Sequence, residues 1–551
     1  MPDSRRVLIV GGVAGGASCA ARLRRLDESA EIVLFDRGPC VSFANCGLPY
    51  YVGRIIKNEQ DLLAASPELF RKNFNIEVRT FHEVIAIDRQ AGEISVIEKS
   101  TGRTFTERYD ALVLAPGAGP IRPPLPGIDH PAVHVLRTIP DSNQLRHWID
   151  EKQPGRAVVV GGGFIGLEMA ENLARLEMKV TVIERLEHLM PPFDPEMAEP
   201  IARHLESQGI SVKLGDAVAA FDELNRHSVT VRTESGSRHP AELVILSVGV
   251  RPETGLARSA GLEIGSLGGI RVDDSMRTSD PKIWAVGDAV EVRDYVIGDW
   301  CLAPLAGPAN RQGRVAAAAI AGRPANFRGV QGTAICGCLG LTIAITGASE
   351  KRLRQAGITD YEKVYLHPGH HAGYYPGARR INMKLLFARS DGRVLGAQAV
   401  GEEGVDKRID VIAMAIQRGA TVFDLEEAEL CYAPQFGAAK DPVNLAGMVA
   451  SNVMRGDLPL ADWDQVEETG ALLLDVRLPE EYLRDHIDGA INIPMLELRE
   501  RYHELPKDRE IWVNCAIGQR SYYALRFLRQ KGYNVRELSG GLITYWGHYP
   551  L

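Results

Sequence analysis

The sequence predicts an α/β protein of several separately packed units, and three observations carry that expectation. At 551 residues the chain is longer than one hydrophobic core serves. A β-branched apolar run, a glycine-rich turn and an alanine-rich helix occur twice, around Arg6–Arg25 and again around Ala157–Arg175. From about Gln331 the pattern turns to strands and helices without a glycine loop, and a fresh apolar strand opens at Ala471 (ALLLDVR).

Composition narrows the class. Apolar residues make up 45% and charged residues 24% of the chain, near globular averages, which excludes wholesale disorder and a fibrous class. A net charge of -8 without a Lys/Arg block argues against nucleic acid or a lipid surface as partner. No stretch reaches the roughly 20 continuous apolar residues of a membrane span. The apolar run from Val7 is broken by Gly11, Gly12, Gly15 and Gly16, so it reads as a strand and loop rather than a secretory segment. A soluble, cytoplasmic protein is the expectation. Eight cysteines form no dense framework, which favours chemical use of any that stand out. Cys336 and Cys338 have no second pair and His370–His371 are adjacent and divergent, so no metal is expected.

In the first repeat, Gly11-Gly12-Val13-Ala14-Gly15-Gly16 sits between strand and helix, where backbone N–H groups can close on a pyrophosphate. Asp36 ends the next strand (EIVLFD) about 20 residues on, where a carboxylate accepts from a ribose, and Arg37 beside it is assigned to the same cofactor. A glycine loop alone would also suit a plain tight turn. The deciding addition is TSDPKIWAVGD, which delivers Gly287 and Asp288, with Ala115-Pro116-Gly117 closing YDALVLAPG. These resemble the fingerprints of flavoproteins with two dinucleotide-binding domains, which implies FAD, with Asp288 on its ribityl chain.

In the second repeat, Gly161-Gly162-Gly163-Phe164-Ile165-Gly166 fits G-x-G-x-x-G in register between strand and helix, the mark of a nicotinamide nucleotide site. Glu184 ends the following strand (KVTVIE) and would accept from a free 2′-hydroxyl and repel a 2′-phosphate, so NADH is favoured over NADPH. Arg185 follows directly and could serve a phosphate. By resemblance, Glu168 faces the flavin–nicotinamide junction.

Cys40 and Cys46 are separated by five residues rather than the four of paired-cysteine disulfide reductases, so a mutual redox disulfide is not expected. By resemblance, SFANCGLPY sets Cys46 at a helix N-terminus, which favours its thiolate. SFANCGLPY, GGVAGGA, HAGYYPGA around Tyr374 and YAPQFGAAKDPVN after Cys431 resemble the coenzyme A disulfide reductase family over roughly residues 5–450. The similar NADH peroxidases and oxidases carry a His where Ala14 stands, which weighs against peroxide or oxygen as acceptor. The resemblance implies a homodimer in which two tyrosines of the partner, matching Tyr374 and Tyr432, protonate a leaving thiolate at Cys46. Tyr375 leaves the first match open by one position, and both are also readable as plain interface aromatics. It further implies coenzyme A contacts at Ser18, Arg22, Arg25, Ser42 and Asn45, with Arg71 and Lys72 as further phosphate partners. Arg22 and Arg25 lie one helical turn apart, a spacing that suits a phosphate clamp and equally a solvated face.

The C-terminal stretch contains LLLDVRLPEEY, HIDGAINIP and Cys515-Ala516-Ile517-Gly518-Gln519-Arg520-Ser521 after an apolar strand, and it resembles a rhodanese domain. Its C-x4-R loop forms a nest for a thiolate or persulfide, tighter than the C-x5-R loop of phosphatases, so sulfur transfer on Cys515 is expected. The expected order is a Rossmann-like FAD domain in two parts, 1–120 and 251–328, around a Rossmann-like NAD domain at 121–250. An α+β dimerisation domain at 329–450, a linker at 451–462 and the α/β rhodanese domain at 463–551 follow. The expected activity is FAD-dependent, NADH-driven reduction of coenzyme A disulfide, coenzyme A persulfide or polysulfide through Cys46. The alternatives are an NADH peroxidase or oxidase, and a redox-sensing flavoprotein signalling through its rhodanese domain.

Overall fold

The computed structural model describes residues 5–549. The chain packs as two units: one runs to Arg185 and resumes from Ile210 to Val330, and the other joins Leu186–Gly209 to everything from Gln331 onward.

The first unit holds two parallel five-stranded sheets of the same design. In one the order is Ile283–Ala285, Ala111–Leu114, Arg6–Val10, Glu31–Phe35 and Glu77–Arg79; in the other it is Ser211–Lys213, Lys179–Ile183, Arg156–Val160, Leu243–Leu246 and Val133–His134. Strands such as ALVL and LVIL are buried at every position, as a parallel sheet covered on both faces requires. That is why they read as continuous apolar runs rather than alternating ones. Each sheet is accompanied by a three-stranded antiparallel meander, His82–Asp88 to Arg103–Arg108 and Val218–Asn225 to Arg238–Ala241.

The second unit contains an antiparallel five-stranded sheet, ordered Ala334–Cys338, Leu341–Gly347, Val394–Gly401, Ile381–Phe387 and Glu362–Leu366. A parallel sheet follows, ordered Leu460–Ala461, Val535–Leu538, Ile511–Asn514, Leu472–Asp475 and Ile491–Asn492, with helices Gln519–Gln530 and Gly541–His548. The helix Pro195–Ser207 packs in this unit although it lies within residues 121–250 of the chain. Its anchor is electrostatic: the fully buried Lys384 ammonium donates to Asp194 (2.7 Å), Glu196 (2.5 Å) and Glu350 (2.9 Å). These carboxylates form a trio compact enough for a metal ion, and the lysine ammonium stands among them. Among the described residues no helix is long and apolar enough to cross a membrane.

Candidate active site and cofactor sites

Parallel register brings the ends of Arg6–Val10, Glu31–Phe35 and Ala111–Leu114 to one edge, so the Gly11–Gly16 loop, Asp36 and Ala115–Gly117 open side by side. Gly11 has φ +94°, and a Cβ there would sit 2.1 Å from the Ala115 carbonyl oxygen; one at Gly16 would sit 1.9 Å from the Gly11 carbonyl. Asp36 accepts the N–H groups of Gly12 (2.9 Å) and Gly38 (2.8 Å). Burial pushes its carboxyl up, and those two bonds pull it back. Ala14 begins the helix Ala14–Arg24. A groove of 660 Å³ is lined by Val10, Gly11, Asp36, Arg37, Ala115 and Arg137, with Arg37 also paired to Glu253 at 3.1 Å. Gly287 N–H donates to Gln312 (2.7 Å), and burial raises the neighbouring Asp288 carboxyl against the pull of Arg137. These residues fit FAD: the loop leaves no room for side chains where its backbone would approach a pyrophosphate, and the Asp36 carboxylate at the strand edge braces that loop.

The second loop repeats the arrangement. Gly161 has φ +108° with a Cβ position 2.5 Å from the Ser247 carbonyl, and one at Gly166 would fall 2.0 Å from the Gly161 carbonyl. Gly163 caps the helix Phe164–Arg175. Glu184 accepts Gly162 N–H at 2.7 Å, the counterpart of Asp36 on Gly12. On that helix Glu168 accepts from the Tyr50 hydroxyl at 3.3 Å, and burial pushes its carboxyl up to about 7.

Cys46 is exposed, in the turn Asn45–Gly47 that leads into the short helix Leu48–Val52. It and Cys40 are both free thiols. Its expected electrostatic ease of ionisation is not what the fold supplies: partial burial, then the Glu168 and Asp288 carboxylates, push the Cys46 thiol up, and a backbone N–H opposes them only in part. The helix is too short for its dipole to outweigh two carboxylates. Ser42, at φ +48°, ties the cysteine loop to the glycine loop by donating its N–H to the Gly12 carbonyl at 2.7 Å.

The positions matched to coenzyme A fall into two groups. Burial, then the charges of Arg314, Arg25 and Arg323 within electrostatic reach, lower the Arg22 guanidinium. Among the described residues, Arg22 Nε and Asn45 Oδ1 are both buried without a hydrogen-bond partner. Ser18 donates to Asn310. Arg71 and Lys72 lie exposed on the helix Pro67–Phe74.

In the second unit the Tyr374 and Tyr432 hydroxyls meet at 2.5 Å, with the residues 75% and 47% exposed. Tyr375 instead turns its ring edge-on to His371, 5.5 Å away, so within the chain Tyr374 is the one paired with Tyr432. Arg408, fully buried, holds the two tyrosine loops: it donates to the His370 carbonyl (2.7 Å) and to Asp441 (2.8 Å), and Ala372 N–H bonds the Gly437 carbonyl at 2.9 Å.

Cys515 follows the strand Ile511–Asn514 and is fully buried. Gly518, at φ +94°, caps the helix Gln519–Gln530, and Arg520 grips Glu481 with two bonds of 2.6 and 2.7 Å. A Cβ at Gly541 would lie 2.2 Å from the Cys515 carbonyl, so Gly541 lets the next turn close over the loop.

Comparison with known proteins agrees with this geometry. The family model described as pyridine nucleotide-disulphide oxidoreductase matches residues 5–321. The chain belongs to that family. The family's dimerisation domain matches residues 333–441, and a rhodanese-like domain matches 462–546. A coenzyme A disulfide reductase of Staphylococcus haemolyticus is 36% identical over 450 residues, 82% of this chain and 100% of the relative. The structure of reduced Bacillus anthracis CoADR-RHD is 45% identical, covering 99% of this chain and 98% of that one with a TM-score of 0.97. A NAD-dependent persulfide reductase from A. fulgidus is 38% identical, covering 98% and 100%, with a TM-score of 0.91. This pyridine nucleotide-disulphide oxidoreductase is therefore a flavoprotein enzyme using FAD and NAD(H), with a dimerisation domain and a C-terminal rhodanese domain.

Sequence reasoning missed Arg314, on the helix Ala306–Ile320, and Arg323, just beyond its end, which join Arg22 from some 300 residues away, and Arg137 beside Asp288. No motif marks them. Asp441 had a readable signal, since Asp-Pro opens the helix Pro442–Met454 and Asp441 caps it at Val443 N–H (3.1 Å).

Proposed function

We propose that this oxidoreductase uses NADH in preference to NADPH to reduce sulfane sulfur or the disulfide of coenzyme A through Cys46 as its single redox cysteine. The supporting observation is the presence, in one unit, of an exposed unpaired Cys46 and a guanidinium cluster built from Arg22, Arg25, Arg314 and Arg323. Such a cluster suits the phosphates of coenzyme A, whose thiol end is what Cys46 would attack. Bound FAD supplies the two electrons that return the oxidised cysteine to its thiolate.

The Cys46 thiolate attacks one sulfur of coenzyme A disulfide, a new S–S bond forms, the old one breaks, and coenzyme A leaves as thiolate. With coenzyme A persulfide or polysulfide the departing group is a thiolate or a shorter sulfide chain. In a homodimer, the Tyr374–Tyr432 pair of one protomer is assigned to Cys46 of the other. The pair gives up one proton to the leaving sulfur and shares the remaining charge across its 2.5 Å contact. Glu168 holds a proton near neutrality beside Tyr50 and Cys46. Cys515 is assigned the capture of inorganic sulfur as a persulfide.

Parallel NADH-oxidation assays with coenzyme A disulfide, coenzyme A persulfide and polysulfide are expected to give turnover well above that with oxygen or peroxide. Faster turnover with peroxide would overturn the reading. NADH should exceed NADPH in kcat/KM, and Glu184→Ala should narrow that gap, because Glu184 is the ribose acceptor of the second loop.

A further inference from the structure

We propose that Glu537 is a positioning residue of the Cys515 site: as a neutral carboxylic acid it donates its proton to the Ser521 hydroxyl, which turns that hydroxyl's own proton onto Cys515 Sγ. Its use in sulfur transfer rests on the reading of Cys515 as sulfur carrier; the geometry itself does not.

Glu537 lies on the strand Val535–Leu538, between Leu460–Ala461 and Ile511–Asn514, at an inward position where neighbours Val535 and Leu538 are apolar. It is 3% exposed. Every other buried acid of this unit has a cation: Asp194 and Glu350 have Lys384, Asp441 has Arg408, and Asp475 has Arg477. Glu537 has a hydroxyl. Its Oε1 is 2.5 Å from Ser521 Oγ, which is also 2.8 Å from the Gly518 carbonyl and 3.4 Å from Cys515 Sγ.

Two oxygens this close must share a proton, and the serine has only one to give. If Glu537 is ionised, the serine proton belongs to the carboxylate, and a Cys515 thiolate loses its donor and faces a second negative charge across the hydroxyl. When Glu537 carries the proton instead, the hydroxyl accepts from it and its own proton is free. A charged thiolate then competes for that proton better than the neutral Gly518 carbonyl. Burial favours the second arrangement, pushing the Glu537 carboxyl up to about 8 with only the Ser521 bond opposing. The titratable groups facing it are Cys515 from the loop and Tyr522 from the helix Gln519–Gln530; Arg520 on that helix is shared between Glu481 and Cys515. The two flanking strands carry no titratable side chain.

In the loading step a Cys515 thiolate attacks the outer sulfur of a donor persulfide R–S–S⁻. A Cys515–S–S⁻ bond forms, the donor S–S bond breaks, and R–S⁻ leaves, with no net oxidation. The proton that Ser521 directs to sulfur supports both the attacking thiolate and the persulfide anion it becomes.

The test uses the full FAD-loaded chain. Alkylation of Cys515 by iodoacetamide is followed on its peptide by mass spectrometry, from about pH 6 to about pH 10. Glu537→Gln, whose amide donates to Ser521 at every pH, is expected to give a one-proton profile at lower pH than wild type, with alkylation faster by up to about tenfold near pH 8, the factor for one pK unit. Glu537→Met should slow alkylation below about pH 8, where the wild-type acid still holds its proton, and not above it. In a Ser521→Ala background the effect of Glu537→Gln should shrink markedly; an undiminished effect would mean direct charge repulsion and overturn the relay. Superimposable profiles for wild type and Glu537→Gln would also overturn it. If the Met variant does not fold, the Gln and Ser521→Ala arms decide alone. Polysulfide treatment, read as addition of one sulfur to the Cys515 peptide, tests the carrier reading separately: expected alkylation profiles without sulfur uptake would support Glu537's role and sink only that reading.

Discussion

The two cysteines assigned to sulfur chemistry stand in opposite settings. Cys46 is exposed, and partial burial together with two acids, Glu168 and Asp288, pushes its thiol up. Cys515 is wholly buried, yet its loop brings Arg520, held by Glu481, and the start of a twelve-residue helix behind Gly518. The contrast teaches that Cys515 carries its anion support within its own loop, whereas Cys46 depends on what arrives. In the proposed mechanism, the support for its thiolate has to come from the bound cofactor and substrate. A buried, self-supported thiol suits holding sulfur; an exposed, partner-dependent thiol suits turnover.

The strongest way to break the contrast is Cys46→Ser. It is expected to remove NADH-driven reduction of every sulfur acceptor, a loss above about 100-fold, while the flavin spectrum persists, because the cysteine takes electrons and does not hold the nucleotide. Retained turnover would put the redox role elsewhere.

Next in size is Lys384→Met, which leaves Asp194, Glu196 and Glu350 buried together and should cost about 3–5 kcal/mol of stability in the second unit. The same network sets an acid limit. The lysine holds the Glu196 carboxyl down to about 2, so its contribution is complete above the unfolded value of 4.5 and is lost as pH falls from there toward 2. Circular dichroism of wild type and variant across that window checks both, and equal acid midpoints would discard the network as a stabiliser.

Cys515→Ser removes the buried thiol instead. Turnover on polysulfide should fall about tenfold while turnover on coenzyme A disulfide changes little, because confinement of a carried sulfur helps only a substrate that needs carrying. An equal loss on both substrates would reduce the rhodanese domain to a folding role.

The smallest effect is expected from Glu168→Gln. Removing that acid should move alkylation of Cys46 to lower pH only modestly, since burial and Asp288 go on raising the thiol. No shift would show that Glu168 is screened from Cys46.

Local sequence by itself determined the elements whose physics is local. A loop that turns from strand to helix with φ +94° at Gly11 and φ +108° at Gly161 needs glycine at those positions, and the acids closing the next strands had to come at Asp36 and Glu184. The Cys515 loop and the α/β class are legible for the same reason, since short-range spacing writes them directly. Long-range charge was not legible. Arg314, and Arg323 in the turn just after its helix, reach Arg22 only because the helices Ala306–Ile320 and Ala14–Arg24 pack side by side, and Asp194 and Glu196 leave the order of the chain to meet Lys384. The raised Cys46 thiol and the acid at Glu537 belong with these. Each depends on burial and on which charges folding brings within a few ångströms, and in a low-dielectric interior that proximity outweighs any preference written in neighbouring residues.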